Sequence, residues 1–272
     1  MIHPRNKWAI QLLGTNVCQR ACSNCTQCVS HAEHSFFVST SLFAKTVECV
    51  KSFLIRSPPT DQPEGKLLIL MGGEITFHPE FPALCDILRA AIPDKMRLGL
   101  WTGVQWQQGR HTDKISETFG GFNVNLHDRK CLHTPILVAI QDVVKDKAAM
   151  WAAIDRCWLD KRWASAASIN GFWFCEVACA LDMVMHGPGG LLIEPDVWNR
   201  STEDFEYQRQ WACPRCGIAL NLKGRRDTEE IDDISPTNLR TLRDRPRVKT
   251  GHYRLYDEIS HETVEKPWEY LK

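Results

Sequence analysis

The sequence predicts an α/β protein built around a mostly parallel β-sheet. Short apolar runs alternate with longer amphipathic segments along the first two thirds of the 272 residues, which is the order of strands and helices that builds a parallel sheet. A chain of this length can bury a large core without disulfides. Hydrophobic residues make up 43% of the chain and charged residues 24%, and these values exclude a disordered, collagenous or coiled-coil chain.

The elements follow from runs of apolar residues bounded by turn residues. Strands are expected over residues 9–13, 66–71, 97–101, 122–126, 136–139 and 164–169, and helices over 42–55, 81–91 and 146–158. Asn170 and Gly171 precede an aromatic run and predict a hairpin turn. Beyond Gly217 the sequence becomes polar, and we expect an extended tail or packing arm.

Charge and hydropathy limit the partners and the compartment. Lys and Arg number 33, and Asp and Glu also number 33, so the zero net charge argues against bulk binding to a nucleic-acid backbone. No apolar run approaches the roughly 20 residues of a membrane span, and residues 1–8 do not resemble a secretory signal. We therefore expect a cytoplasmic protein with no membrane partner. In a reducing compartment, 12 cysteines indicate metal ligands or redox groups rather than disulfides.

The first group of cysteines lies in the loop after the first predicted strand. Cys18, Cys22 and Cys25 have the spacing C-x3-C-x2-C. Three thiolates on a short loop can bind three irons of a [4Fe-4S] cluster and leave the fourth iron open to a small molecule. A structural zinc ion is the alternative metal for such a loop. Cys28 follows three residues later and is expected to be a small buried residue.

A second motif follows the second predicted strand, where Gly72, Gly73 and Glu74 come directly after residues 67–71. Alone, this motif is also typical of a tight turn after a strand. Together with the C-x3-C-x2-C loop, it makes the chain resemble the radical S-adenosylmethionine (radical SAM) superfamily. The resemblance implies a partial (β/α)6 barrel of the TIM type. It also implies that Gly72, Gly73 and Glu74 lie at the methionine group of S-adenosylmethionine, and that Asn125 meets its ribose.

The second group of cysteines consists of Cys157, Cys175, Cys213 and Cys216. Their spacing resembles the auxiliary-cluster regions called twitch and SPASM, which implies a second [4Fe-4S] cluster with four protein ligands. A zinc ion is the alternative, since Cys-Pro-Arg-Cys-Gly is also typical of a zinc knuckle, and unmetallated thiols are a third. Cys179 lies one helical turn after Cys175 and is a possible substitute ligand.

These motifs divide the chain into a radical SAM barrel over residues 1–150, an auxiliary-cluster region over 151–220 and a tail or packing arm over 221–272. The resemblance implies reductive cleavage of S-adenosylmethionine to a 5′-deoxyadenosyl radical, with the chemistry and the auxiliary cluster at the carboxyl ends of the strands. It further implies that the electron comes from a flavodoxin- or ferredoxin-type reductant and that the radical removes hydrogen from an amino acid, sugar or modified nucleotide. One alternative is a peptide-modifying enzyme with a separate recognition partner, and another is a non-catalytic zinc or iron-sulfur protein. The sequence identifies no catalytic side chain.

Overall fold

A six-stranded sheet forms the centre of the computed structural model, which describes residues 1–55, 66–105, 107, 109–124, 131–242, 252–258 and 261–264. The strands are β1 (Ala9–Leu13), β2 (Leu67–Met71), β3 (Leu98–Thr102), β4 (Gly121–Val124), β5 (Leu132–His133), β6 (Ser165–Ser168), β7 (Gly171–Trp173), β8 (Arg225–Arg226), β9 (Asp232–Ile234) and β10 (Tyr253–Leu255). The α-helices are α1 (Thr40–Val50), α2 (Phe81–Ala91), α3 (Thr112–Thr118), α4 (Ile140–Val143), α5 (Lys147–Ile154), α6 (Trp158–Arg162), α7 (Glu176–Met185), α8 (Glu206–Ala212) and α9 (Pro236–Leu242).

The sheet has the order β4-β3-β2-β1-β6-β7. Strands β1, β2, β3, β4 and β6 are parallel, and β7 pairs with β6 in the antiparallel direction. The predicted α/β class with a mostly parallel sheet is therefore confirmed. Strand β1 lies inside the sheet, with β2 on one side and β6 on the other, so the order of the strands reverses at β1. Ligands of parallel sheets bind outside the carboxyl ends of the strands at such a point.

Both faces of β1 are covered. All five of its residues are buried, as in parallel strands packed on two sides. Ile10 and Leu12 belong to the main core together with Val47 of α1 and Leu84 of α2. Ser39 fixes the start of α1, since its hydroxyl accepts a hydrogen bond from the backbone of the first turn.

The opposite face of the sheet carries aromatic side chains. Ala9 of β1 packs there with Trp8, Trp101 and Trp163, and these three indoles are called the tryptophan cluster below. Their ring centroids lie 5.1–6.4 Å apart. The cluster is the smaller of the two layers that cover β1.

The predicted strand over residues 136–139 is wrong. These residues are buried but form no regular strand, and they precede α4. Their backbone groups bond to the C-terminal part of the chain instead of the sheet: Gly217 N donates to Ile136 O, and Ser235 N donates to Leu137 O. A four-residue apolar run is compatible with any buried segment, and here the partner lies about 80 to 100 residues away.

Two predicted helices and the predicted tail also differ from the structure. The helix expected over 146–158 is divided into α5 and α6, and the helix expected over 42–55 ends at Val50 and continues as a 3-10 helix over Lys51–Ile55. Residues 221–242 are folded rather than extended, since they contain β8, β9 and α9, and Ile234 and Leu242 join the main core. None of the described helices is long and apolar enough to cross a membrane.

Candidate functional site

The loop that carries Cys18 is joined to the Gly-Gly-Glu motif by backbone hydrogen bonds. Gly73 N donates to Thr15 O at 2.8 Å, and Glu74 N donates to Val17 O at 2.7 Å. The pairing of β1 with β2 therefore continues past the carboxyl ends of both strands. Two motifs that lie about 50 residues apart in the sequence thus form one structure at this edge of the sheet.

The two glycines of the motif make this close approach possible. A Cβ atom on Gly72 would overlap the carbonyl oxygen of Thr15, and one on Gly73 would lie 2.5 Å from the carbonyl oxygen of Val17. The family resemblance assigns the glycines to the cofactor. Their neighbours in the structure are backbone atoms of the cysteine loop, so the glycines also position the cysteines.

The carboxylate of Glu74 is buried and ties β2 to β3. Its Oε1 accepts hydrogen bonds from Thr76 Oγ1 at 2.7 Å and from Thr102 Oγ1 at 2.8 Å, and its Oε2 accepts one from Gly103 N at 2.8 Å. Both oxygens are thus occupied by donors at the ends of the two strands. Glu74 therefore holds the ends of β2 and β3 together.

The three cysteines of the first motif are all partly exposed in the loop. Cys18 Sγ accepts a hydrogen bond from Arg20 N at 3.4 Å. Burial raises the pKa of the Cys18 thiol to about 11, and the nearby Cys25 and Glu74 contribute to this increase. Cys18, Cys25 and Glu74 are therefore close enough for their charges to interact, and a bound metal would displace the thiol proton. Cys28 is buried in the core, as expected.

Residues 225–234, called the C-terminal segment below, are hydrogen-bonded to the cysteine loop, and this set of contacts is called the clamp. Asn24 has a φ of +48° and is buried. Its backbone N donates to Asp232 Oδ1 at 2.6 Å, its Nδ2 donates to Asp233 Oδ2 at 2.9 Å, and its Oδ1 accepts from Asp233 N at 2.8 Å. The ring of His31 lies 2.6 Å from Asp232 Oδ2. The sequence analysis missed this clamp, although the acidic run at 229–233 is visible in the sequence.

Asp233 connects the clamp to a set of basic side chains. Arg225 donates to both of its carboxylate oxygens, at 3.0 and 2.7 Å, and Arg254 Nε donates to Oδ1 at 3.0 Å. Burial alone would raise the pKa of Asp233, but the hydrogen bonds from Arg225 and Asn24 hold it below its usual value. The carboxylate is therefore charged at neutral pH and holds the C-terminal segment against the loop.

The four cysteines of the second group surround one cavity. Cys157, Cys175, Cys213 and Cys216 all line a cavity of about 40 Å³. Cys157 precedes α6, Cys175 precedes α7, and the other two follow α8. The structure thus brings together all four residues that the spacing predicted as ligands of a second site.

The environment of these thiols is largely apolar and includes the buried ammonium group of Lys7. Burial raises the pKa of Cys175 to about 12 and that of Cys213 well above its ordinary value, and the neighbouring thiols contribute to the shift at Cys213. Lys7 acts in the opposite direction on Cys175. The Lys7 ammonium is buried and donates to Asp160 Oδ1 at 2.9 Å, so an ion pair lies beside the thiols.

The second group lies at the amino ends of the strands, so the prediction that it lies at the carboxyl ends is wrong. The cavity is also lined by Asp160, which binds Lys7 just before β1. The physical reason is the direction of the hairpin: β7 runs antiparallel to β6, so Cys175 after β7 returns to the amino edge. The five residues of β1 span about 16 Å, and they separate the two groups of cysteines.

Cys179 and Asn125 are the remaining residues that were predicted to bind a cofactor. Cys179 is buried, does not line the cavity and interacts with the hydroxyl of Ser168, so it is not placed as a substitute ligand. Asn125 lies outside the described residues. Within the described part of the chain, no group of three or more His, Cys, Asp or Glu side chains is arranged to hold a metal ion.

No family model matches the sequence, and no match was found among the curated proteins. The resemblance to radical SAM enzymes therefore rests on the motifs and on their arrangement at the end of the sheet.

Proposed function

We propose that the protein is a radical SAM enzyme, with a [4Fe-4S] cluster held by Cys18, Cys22 and Cys25. The observation that carries the proposal is the junction of the C-x3-C-x2-C loop after β1 with the Gly-Gly-Glu motif after β2. This junction lies where the strand order reverses, which is the usual position of a ligand site in a parallel sheet. The neighbouring order β4-β3-β2-β1 supports the finer proposal of a partial (β/α)6 barrel.

The donor set at this junction fits such a cluster. Three thiols on one loop leave a fourth iron without a protein ligand. When bound, the cluster supplies one electron to S-adenosylmethionine, whose cleavage gives methionine and a 5′-deoxyadenosyl radical that takes a hydrogen atom from the substrate. Glu74 fixes the ends of β2 and β3 through its hydrogen bonds to Thr102 and Gly103. The backbone beside it is then rigid and can orient the methionine group.

The four-cysteine cavity supports a second, closed [4Fe-4S] cluster. In such a cluster each thiolate binds a different iron, so the four ligands surround a body of several atoms and not one ion. Four thiols around one cavity can supply these four ligands, whereas a zinc site needs the same four thiols in a compact tetrahedron. The position at the amino edge of the sheet supports a role in electron transfer or stability rather than contact with a substrate at the open iron.

Cleavage of S-adenosylmethionine tests the proposed function. Protein purified without oxygen is reduced with dithionite in the presence of S-adenosylmethionine, and 5′-deoxyadenosine is measured by chromatography. We expect the product from the wild type and none from Cys22→Ala. Cys49→Ala, which removes a buried thiol in α1, is the matched control and should retain cleavage. Equal product from Cys22→Ala and the wild type would rule out the proposal.

Metal content tests the second site separately. Two clusters correspond to about 8 Fe per chain, whereas one cluster and one zinc ion correspond to about 4 Fe and about 1 Zn. A Cys213→Ala/Cys216→Ala variant should lose about half of the iron and keep the cluster of the first site. Loss of zinc with no loss of iron would assign the second site to zinc.

A further inference from the structure

Cys131 differs from the other cysteines that lie outside the two predicted metal sites. Cys28, Cys49, Cys85 and Cys179 are buried, whereas Cys131 is partly exposed. Burial raises the pKa of the thiols of Cys85 and Cys179 to about 12, so these two thiols stay protonated and unreactive at neutral pH. Among these five cysteines, Cys131 is the one that a molecule in solution can reach.

The imidazole of His133 is placed as a base for this thiol. His133 Nδ1 lies 2.7 Å from the carbonyl oxygen of Ser23. A carbonyl oxygen only accepts hydrogen bonds, so Nδ1 is the donor and Nε2 of the neutral ring has the lone pair. Cys131 Sγ lies 3.5 Å from Nε2 and donates to it. The thiol, its base and the group that orients the base are therefore arranged as in a nucleophilic active site.

Backbone hydrogen bonds hold this pair against the cysteine loop. β5, which contains His133, pairs with β8 in the C-terminal segment. Asp227 N donates to Cys131 O at 3.2 Å, and Ser23 N donates to Asp227 O at 2.9 Å. Ser23 belongs to the cysteine loop, so the thiol is one imidazole ring away from that loop. The positions of the thiol and of the base are thus fixed by regular backbone contacts, which precise chemistry requires.

The C-terminal segment brings charged residues to the side of β5. Arg225 lies opposite His133 and is bound by the carboxylates of Glu229 and Asp233. Arg226 is exposed, and the carboxylate of Asp227 accepts a hydrogen bond from a backbone N–H. These carboxylates are occupied by donors, so the imidazole is the base that the geometry gives to the thiol.

We propose that Cys131 is a nucleophilic thiol, with His133 as its base, that reacts with an electrophilic carbon bearing a leaving group. The sulfur forms a bond to that carbon, the bond from the carbon to the leaving group breaks, and the thiol proton passes to His133 Nε2. The product is a thioether or, from an acyl carbon, a thioester. The inference does not rest on the proposed function, since this step needs neither the cluster nor S-adenosylmethionine.

Alkylation with iodoacetamide, followed by mass spectrometry of the peptides, tests the pair in protein purified without oxygen. Only about 0.3% of an ordinary thiol is ionised at pH 6, and the thiolate is the reactive form. We expect Cys131 to react at least tenfold faster than N-acetylcysteine at this pH, because the imidazole takes the thiol proton. Cys49 is buried and should stay unlabelled. A rate for Cys131 equal to or below that of N-acetylcysteine would overturn the inference.

Substitution of His133 separates the base from the fold. His133→Asn keeps an N–H donor for Ser23 O and removes the ring nitrogen Nε2. We expect labelling of Cys131 to become at least tenfold slower while the Tm changes little. His34→Asn, which alters an exposed histidine, is the matched control and should be labelled as the wild type is. Equal labelling of Cys131 in His133→Asn and the wild type would also overturn the inference. If His133→Asn does not fold, the comparison of the wild type with N-acetylcysteine decides the matter alone.

Discussion

Replacing Asn24 with alanine should release the cysteine loop from the C-terminal segment. The side chain of Asn24 makes two good hydrogen bonds to Asp233, one to its carboxylate and one from its backbone N–H. The residue also has a φ of +48°, a region that asparagine tolerates better than alanine. The substitution therefore removes the contacts and strains the backbone at the same position.

The expected loss of stability follows from these contacts. A hydrogen bond to a charged group contributes about 1.5–3 kcal/mol, and a buried N–H left unpaired costs about 1–3 kcal/mol. Alanine at a positive φ adds about 1 kcal/mol. We expect Asn24→Ala to lower the free energy of unfolding by about 4 kcal/mol, which in a chain of this size corresponds to a fall in Tm of about 10 °C.

Urea denaturation followed by circular dichroism and by tryptophan fluorescence measures this loss. Asn24→Gly is the matched control, because glycine removes the same side-chain contacts and accepts the positive φ, so it should be about 1 kcal/mol more stable than Asn24→Ala. A free energy of unfolding for Asn24→Ala within about 1 kcal/mol of the wild type would refute the clamp, since one lost buried bond already exceeds that value.

Three further perturbations test other parts of the structure. Gly73→Ala should lower the Tm by several degrees, because its Cβ would lie 2.5 Å from Val17 O; an unchanged Tm would contradict the close approach. The pKa of Asp233 is held below its usual value, so its contribution to stability is complete above the unfolded pKa of about 3.9 and is lost as the pH falls through the folded pKa. Asp233→Asn should flatten this acid dependence in urea titrations, and an unchanged profile would exclude Asp233 as its source. Lys7→Met removes the closer cation of Asp160 and leaves the N-terminal ammonium at 3.9 Å, so it should cost about 1.5–3 kcal/mol, and Lys7→Met/Asp160→Asn should recover most of that loss in the same assay. No recovery would show that the ion pair is not the cause.

The parallel strands were predictable because buried strands of this type are continuous apolar runs. β1, β2 and β3 lie within one residue of the predicted bounds. The run at 136–139 has the same composition, but its backbone groups bond to Gly217 and Ser235. The hydropathy of a segment indicates that it is buried, but it does not indicate which other segment forms hydrogen bonds with its backbone.

The parts of the candidate site that are formed by residues close together in the sequence were predictable. The spacing of Cys18, Cys22 and Cys25 and the position of Glu74 after a strand are both visible in the sequence, and the structure joins them. The clamp on Asn24 links residues that are about 208 positions apart, and no local pattern encodes such a pair.

The position of the second group of cysteines was not predictable from spacing alone. Spacing gave the four candidate ligands, Cys157, Cys175, Cys213 and Cys216, but the end of the sheet on which they lie depends on the direction of β7. That direction follows from the hairpin turn at Asn170 and Gly171, where Gly171 has a φ of +106°. The predicted turn is present, and it places Cys175 at the amino edge of the sheet.

Binding of S-adenosylmethionine at an open iron is the central claim, and electron paramagnetic resonance of the reduced protein tests it most directly. The Cys213→Ala/Cys216→Ala variant is used, so that only a cluster on Cys18, Cys22 and Cys25 contributes to the spectrum. We predict a [4Fe-4S]⁺ signal that changes when S-adenosylmethionine is added, and its loss after Cys22→Ala in the same background. An identical spectrum with and without S-adenosylmethionine would contradict the account.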